Sequence, residues 1–509
     1  MFERLRTALR ERQEYLPDEI ATGAVGGHVV SGSLWSGAGL AATTLLQFVR
    51  SMIFARLLPP AAFGALNLAN VFTQFILLFA NFGFNSSVVY WRRLTKRDLS
   101  TCWWGNLMVD VAAAALCCVF AFTGTRFLES PEVKWVIVLL SMQFLIVSAG
   151  SIHSALMRRQ FQFKETALVG VWGAVATFAA GWFMVGVLHW GVFGLIGGMI
   201  AGTAVSTLLQ FDVMRWLPSR DFSWKVLKEH ANYGRWFLAV NVVTYGNQNI
   251  DRALIGTTLS NTQLGYYDYA SNLPMQVTIQ LSTVLNSVLF PAFASLQENL
   301  AELRRVLLRV MRFNAFIIYP LLAGLMLTAP DFVQVAYGPT WAPIVGPTRI
   351  FCLFGMIRVL TNPSYSLCNG VGKPHLPFKW SLIALPFNAA LLWWAVRAGG
   401  LLGISLAKLF LPAFMLFTLV VEITRAVDMP IRQIGLTALP ATVCCLAMGA
   451  FVLAVQHAPG FAALPTLPHL LLQIAAGLGA YFGALRLFYP ADFAGVIALA
   501  RRVRGGGGA

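Results

Sequence analysis

The chain has 509 residues, of which 57% are hydrophobic and 11% charged, and a formal net charge of +16; its mean hydropathy is +0.68. A soluble protein of this length carries roughly a quarter charged residues, so a water-soluble enzyme or a nucleic-acid-binding domain is excluded. Apolar runs long enough to cross a bilayer recur along nearly the whole chain, which also excludes an outer-membrane barrel, whose strands alternate and give no long apolar runs.

Residues 1–32 are charged and polar, with Arg4, Arg6, Arg10 and Arg12 beside Glu11, Glu14, Asp18 and Glu19. They lack the apolar core of a cleavable signal, so the first span is expected to act as an uncleaved anchor. About fourteen spans follow, at 33–55, 63–90, 103–123, 135–156, 165–188, 193–214, 236–256, 265–292, 313–335, 344–369, 377–396, 402–423, 433–456 and 468–489. An even number puts both termini on one side. The loops on that side, with the termini, hold 27 Lys and Arg, and the opposite loops hold four (Arg56, Arg126, Lys134 and Arg397). This asymmetry predicts a multi-pass protein with both termini in the cytoplasm.

A sequence echo runs through these spans at an offset of 201 residues. Leu58-Pro59-Pro60-Ala61-Ala62-Phe63-Gly64 aligns with Leu259-Ser260-Asn261-Thr262-Gln263-Leu264-Gly265, Arg50 with Asp251, and Asn85-Ser86 with Asn286-Ser287. The fold expected is an all-α polytopic membrane protein made of two pseudo-symmetric six-helix lobes, 33–214 and 236–423. The basic connector 215–235 (Arg215, Arg220, Lys225, Lys228 and Arg235, with Phe222 and Trp224 interleaved) reads as a cytoplasmic linker and as an amphipathic helix on the inner leaflet. Spans thirteen and fourteen (433–489) stand outside the duplication, followed by a cytoplasmic tail, 490–509.

Polar stripes mark the helices that face water, because polar atoms in hydrocarbon are costly. Span one carries Ser36, Thr43, Gln47 and Arg50, and span two carries Asn67, Asn70, Gln74, Asn81 and Asn85. Span seven carries Asn241, Thr244, Gln248 and Asp251, and span eight carries Tyr269, Asn272, Gln276 and Gln280. Spans five, six, thirteen and fourteen are more apolar and are expected at the periphery. Gly194, Gly198 and Gly202 are spaced for close helix packing. The competing reading of the stripes is a static bundle whose amides bond only between helices.

Ionisable groups within spans are functional candidates. Arg50, Arg252, Arg349, Arg358 and Lys408 are the cavity cations, suited to an anionic group such as phosphate. Gln47, Asn67, Asn70, Gln74, Asn241, Gln248, Asn272 and Gln276 are the expected polar lining, and Asp251 and Asp268 the candidates for ion coupling. The seven cysteines lie in or beside spans without metal-like spacing, and the seven histidines are scattered. Gly370-Val371-Gly372-Lys373-Pro374 lacks the spacing and hydroxyl of a phosphate-binding loop, and no hydrolase motif is present. No cofactor, no metal and no enzymatic activity are expected.

The stretches Ser33-Leu34-Trp35-Ser36, Ala55-Arg56-Leu57-Leu58-Pro59-Pro60-Ala61-Ala62-Phe63-Gly64, Asn249-Ile250-Asp251-Arg252, Leu264-Gly265-Tyr266-Tyr267 and Gly338-Pro339-Thr340-Trp341-Ala342-Pro343 resemble the polysaccharide/O-antigen flippases of the multidrug/oligosaccharidyl-lipid/polysaccharide exporter superfamily. The resemblance covers most of residues 30–430. It implies two six-helix lobes around cavities lined by the first two helices of each. It also implies a lipid-linked oligosaccharide, usually on undecaprenyl diphosphate, turned from inner to outer leaflet for surface polysaccharide synthesis. Partners would be membrane lipids, a polysaccharide polymerase and glycosyltransferases, with no nucleic acid. The alternatives are a peptidoglycan-precursor flippase, a cation-coupled multidrug exporter of the same superfamily, and a non-transporting scaffold of a polysaccharide synthesis complex.

Overall fold

The computed structural model describes residues 22–80, 88, 94–124, 131–295, 299–373, 375–427, 431–458, 465–490 and 492–494. Asn81, Asn85 and Ser86 lie outside the described residues, as do 1–21 and 495–509. Those described form helices and turns with no strand, as hydrocarbon requires of backbone that must satisfy its own hydrogen bonds. The α-helices are α1 (Thr22–Leu57), α2 (Pro60–Ala80), α3 (Lys96–Thr123), α4 (Pro131–Arg159), α5 (Phe163–Trp182), α6 (Val192–Met214), α7 (Trp224–Thr258), α8 (Asn261–Ser295), α9 (Leu300–Ala336), α10 (Val345–Gly370), α11 (His375–Ala407), α12 (Phe410–Val427), α13 (Ile431–Gln456) and α14 (Thr466–Phe488). Each of the fourteen expected spans overlaps a helix; residues 81–87, 89 and 90 of the second lie outside the described residues, and 402–407 of the twelfth fall at the end of α11. Among the described residues eleven helical stretches are long and apolar enough to cross a membrane, one of them holding both α11 and α12. The two helices outside that set, α7 and α8, are 35 residues each and are the ones most heavily striped with amides.

Local chemistry sets the ends. Thr95 and Asp98 open α3 with reciprocal side-chain-to-backbone bonds of 3.2 and 2.8 Å, a capping box. Asn299 opens α9 by accepting the Glu302 N–H at 3.1 Å. Gly400, at φ 53°, breaks α11. Gly338, at φ 95°, turns the chain into a short 3₁₀ segment, Pro339–Ile344, whose Trp341 is wholly buried. The Trp341 ring lies 4.2 Å from that of Tyr269 and 6.0 Å from that of Tyr337.

The chain divides into two compact units, residues 1–265 and 266–509. In the first, α5 packs most intimately on α6, α1 rests on α5, and α4 contacts α2, α3 and α6. Gly194, Gly198 and Gly202 make the α5–α6 approach possible: a methyl on Gly198 would sit 2.7 Å from the Gly181 Cα and the Thr177 carbonyl. α7 also belongs to this unit, packed on α2 and α3, and Tyr245 on α7 donates to the Val71 carbonyl at 2.7 Å.

The first turns of α2 and α8, both within this unit, meet through a reciprocal pair of glycines. A methyl on Gly64 would overlap the Asn261 carbonyl, and one on Gly265 would overlap the Pro60 carbonyl. Residues 60 and 261, and 64 and 265, are partners in the sequence echo, so each contact is the twofold counterpart of the other.

In the second unit, α9 is the hub, packed on α10, α13 and α14. Arg304 donates to Gln433 at one end, and Tyr481 donates to the Phe316 carbonyl at 2.9 Å. At the other end the Asp331 carboxylate takes hydrogen bonds from His469 (2.7 Å) and Gln473 (2.8 Å). Spans thirteen and fourteen are therefore built into this unit's core rather than set apart from it.

One expectation is corrected. Residues 215–223 are not a surface helix: Arg215 ends α6 in a left-handed conformation and the chain runs extended to Trp224. Pro218, without an N–H, interrupts any helix there. Lys408 lies in the two-residue turn between α11 and α12, inside the apolar stretch His375–Glu422 that is long enough to cross a membrane, and its backbone N–H still bonds the Ile404 carbonyl at 3.0 Å.

Candidate functional site

Within the first unit lies a polar cavity of about 600 Å³, walled by α1, α4, α5 and α6. α1 contributes Thr43, Leu46, Gln47 and Arg50, spaced three and four apart so that one face of the helix is presented. α4 contributes Gly150, Ser151, Ser154 and Arg158 among others. α5 supplies Gly170, Gly173 and Thr177, and α6 supplies Gly202, Thr203, Ser206, Thr207 and Gln210. The glycines let α5 and α6 approach closely along this wall: a methyl on Gly173 would overlap the Ser206 hydroxyl, and one on Gly202 would overlap that of Thr177. From Gly202 to Gln210 the α6 wall runs ~12 Å at the rise of an α-helix.

The lining contains two guanidinium groups and no carboxylate. Arg158 is exposed, at the end of α4, and bonds the Ser154 carbonyl and hydroxyl at 3.3 and 3.4 Å. Its neighbour Arg159 turns instead to the Val88 carbonyl at 2.7 Å. Arg50 is half-buried, seven residues before the end of α1. Several lining hydroxyls donate backward into their own helices: Thr43 to the Gly39 carbonyl (2.9 Å), Thr177 to Gly173 (2.9 Å) and Thr203 to Met199 (2.9 Å). Thr207 donates across to the Ile146 carbonyl at 3.1 Å. The lining also holds the side-chain amides of Gln47 and Gln210, which can donate as well as accept.

A second polar layer holds the walls in place. Gln143 on α4 donates to the Thr203 hydroxyl at 2.6 Å. Asn106 on α3 donates to the Ser151 hydroxyl at 3.0 Å, and Ser151 passes its own proton to the Ser148 carbonyl at 2.9 Å. Such bonds fix helix rotation within a membrane bundle.

Of the residues expected from the sequence, the cavity unites Gln47 and Arg50. Asn67, Asn70 and Gln74 lie on α2, and Asn241 and Gln248 on α7, outside its lining. Asn241, Thr244 and Gln248 are exposed along one face of α7, whereas Asp251, at the edge of that face, is 2% exposed. Arg252 donates to the Asn249 side chain at 3.0 Å. In the second unit Gln276 donates to Asn272 at 2.6 Å, Arg349 is exposed and donates to the Met326 carbonyl at 3.2 Å, Arg358 is half-buried, and Asp268 and Lys408 are buried. Among the described residues no group of three His, Cys, Asp or Glu stands close enough to hold a metal ion, and all seven cysteines are unbridged.

The sequence reading missed Arg158, Gln210 and the hydroxyls of α5 and α6, helices it placed at the periphery. Arg158 was absorbed into the count of basic loop residues. The walls of α5 and α6 are polar through Thr and Ser one turn apart (Thr203, Ser206, Thr207 and Gln210), a signal diluted by the apolar residues of the opposite face.

A family model described as "Polysaccharide biosynthesis protein" matches residues 53–346. The chain is 24% identical to the lipopolysaccharide biosynthesis protein WzxC of Escherichia coli over 69% of its own length and 72% of that protein's. It is 23% identical to the succinoglycan biosynthesis transport protein ExoT of Rhizobium meliloti, over 69% of its own length and 70% of that protein's. Among solved structures, the inward closed conformation of the lipid II flippase MurJ superposes with a TM-score of 0.74 at 16% identity, covering 90% of this chain and 99% of that one. That likeness fixes the fold, an all-α multi-pass membrane protein. With more than half of its length matched by the family model, the chain belongs to the polysaccharide biosynthesis protein family.

Proposed function

We propose that this protein is a flippase that moves a polyprenyl-diphosphate-linked oligosaccharide from the inner to the outer leaflet of the bacterial inner membrane by alternating access. The observation that carries the reading is a cavity walled by four helices long and apolar enough to cross a membrane and lined by Arg50 and Arg158 with no carboxylate. Moving a charged headgroup through hydrocarbon is prohibitive unless a polar path accepts it, and a guanidinium offers two parallel hydrogen bonds to a phosphate or a sugar carboxylate. The polyprenyl tail stays in lipid while the headgroup passes. The names of two relatives, one a lipopolysaccharide biosynthesis protein and one a succinoglycan transport protein, support the same substrate class.

On this reading the six-helix lobes are 33–214 and 236–423, joined through 215–235 on the cytoplasmic side, with both termini cytoplasmic. Arg252, Arg349, Arg358 and Lys408 contribute further cationic stations. Asn67, Asn70, Gln74, Asn241, Gln248, Asn272 and Gln276 line the path, and Asp251 and Asp268 carry the coupling ion. The chain works beside a polymerase and glycosyltransferases and makes or breaks no covalent bond itself. A multidrug exporter for organic cations calls for an acidic lining, which this cavity does not have.

The test is reconstitution of the full chain in proteoliposomes with a fluorescent polyprenyl-diphosphate oligosaccharide, scoring outer-leaflet exposure. Wild type should translocate it, and Arg50→Gln and Arg158→Gln should not, at unchanged melting temperature. Equal rates in all three would overturn the assignment.

A further inference from the structure

The connector between α6 and α7 is fastened on one side and open on the other. On its inward side Trp104 donates to the Ser219 carbonyl at 2.9 Å, and the Ser219 N–H donates to the Ser100 hydroxyl at 2.9 Å. The Ser219 and Ser100 hydroxyls bond at 3.0 Å, and the Ser223 N–H donates to the Thr101 hydroxyl at 3.3 Å. His153, wholly buried on α4, bonds the Trp216 carbonyl through Nε2 at 2.8 Å. The Trp216 side chain, 6% exposed, stands edge-on to that imidazole at 5.4 Å. These bonds, reaching α3 and α4, hold residues 216–223 as a strap.

Its outward side has a different character. Extended chain alternates its side chains, so Leu217, next to the buried Trp216, is 75% exposed. Trp224, at the start of α7, is 71% exposed, with the Phe222 ring packed edge-on at 5.0 Å. Around this pair Arg215, Arg220, Lys225 and Lys228 are all exposed, and among the described side chains the acidic ones exposed beside them are Asp212 and Asp221.

We propose that the strap is a preformed docking surface for anionic phospholipid headgroups of the inner leaflet. Cations flanking an exposed tryptophan and leucine match that boundary: lipid phosphates meet the Lys and Arg, and the two apolar side chains enter the headgroup–acyl zone. The hydrogen bonds to α3 and α4 hold the backbone in place beforehand, so binding does not have to order it. The strap runs unbroken into α7, the helix of the amide stripe, so lipid charge acts directly on that helix. The inference rests on the cytoplasmic placement of 215–235 in the reading above.

The experiment uses the full chain with a polarity-sensitive fluorophore on Leu217→Cys, in nanodiscs of phosphatidylcholine with or without phosphatidylglycerol. A blue shift that requires phosphatidylglycerol, and phosphatidylglycerol retained by the protein in native mass spectrometry, are expected. The combined variant Arg215→Gln, Arg220→Gln, Lys225→Gln and Lys228→Gln should weaken retention by roughly several hundredfold, since each such cation contributes about a fivefold preference. Its melting temperature in detergent should be unchanged. A variant that fails to fold is replaced by Lys225→Gln with Lys228→Gln alone, for which roughly twenty-fivefold weakening is still expected. The same spectrum in both membranes, with undiminished retention by the charge variants, overturns the proposal, as does displacement by inorganic phosphate or a shift that appears only with an added soluble protein. Labelling of Leu217→Cys by an impermeant reagent from outside intact cells would instead overturn the sidedness on which both readings depend, whereas loss of translocation with lipid retention intact would leave this one standing.

Discussion

Replacing Gly198 by alanine tests whether the α5–α6 contact is as tight as the backbone places it. The added methyl would sit 2.7 Å from the Gly181 Cα and the Thr177 carbonyl and 2.8 Å from the Gly181 nitrogen, where ordinary contact begins at 3.4 Å. All three are backbone atoms and cannot rotate away, so the helices must part by about 0.7 Å, the difference between those distances. Overpacking of this kind costs ~1–3 kcal/mol, partly offset by the better helix propensity of alanine, up to ~1 kcal/mol. The neighbouring Gly197 supplies the control, since a methyl there meets only the mobile end of the Met184 side chain. The propensity gain is common to both variants, so their difference in reversible unfolding, measured by denaturing-detergent titration in mixed micelles, isolates the contact. Gly198→Ala should be less stable than Gly197→Ala by about 1–3 kcal/mol. Agreement of the two within about 0.5 kcal/mol would refute the close approach of α5 and α6.

Arg50→Lys keeps the charge but loses the planar fork; translocation should stay well below wild type and near that of Arg50→Gln, whose loss of a charged hydrogen bond is worth about 1.5–3 kcal/mol, and full activity of the lysine variant would show that charge alone suffices. Gly64→Ala and Gly265→Ala should each lower thermal stability by about 1–3 kcal/mol, while Gly37→Ala, where a methyl meets nothing within 4 Å, should be neutral or better. Asp331→Ala removes the acceptor of both His469 and Gln473 and strands a buried amide, at about 1–3 kcal/mol; hydrogen exchange should rise selectively at the start of α14, and uniform exchange along the chain would count against the latch. Tyr245→Phe should cost about 0.5–1.5 kcal/mol through its lost bond to the Val71 carbonyl, read by the same detergent titration.

The helices were legible because bilayer thickness sets their length and composition alone reveals it. The amide face of α7 was legible from periodicity: Asn241, Thr244 and Gln248 are exposed together. Periodicity could not say that Asp251, at the edge of that face, turns inward. The cavity was only half legible. Gly202 read as a packing residue and packs: a methyl on it would overlap the Thr177 hydroxyl and stand 2.6 Å from the Gly173 carbonyl, whereas at Gly170 the nearest atom to a methyl is 3.9 Å away and the missing side chain leaves room. Residues 215–223 carry the composition of an amphipathic helix. Pro218 and the left-handed Arg215 decide otherwise, and the hydrogen bonds from Ser100, Thr101, Trp104 and His153 that hold the strap come from helices distant in sequence.

The paired overlap of Gly64 with Asn261 and of Gly265 with Pro60 has a consequence for how such a chain can change. When a gene doubles, its two copies are ordinarily free to drift apart, one retaining the old duty while the other acquires a new one. Here the sequence echo sets Gly64 on Gly265, so equivalent positions of the repeat stand on both faces of the same seam, and enlarging either side chain forces the same two helix openings apart. Drift at this crossing is therefore shared: the halves can become strangers in cavity lining and loop charge, but at these two positions they remain bound to a common size limit.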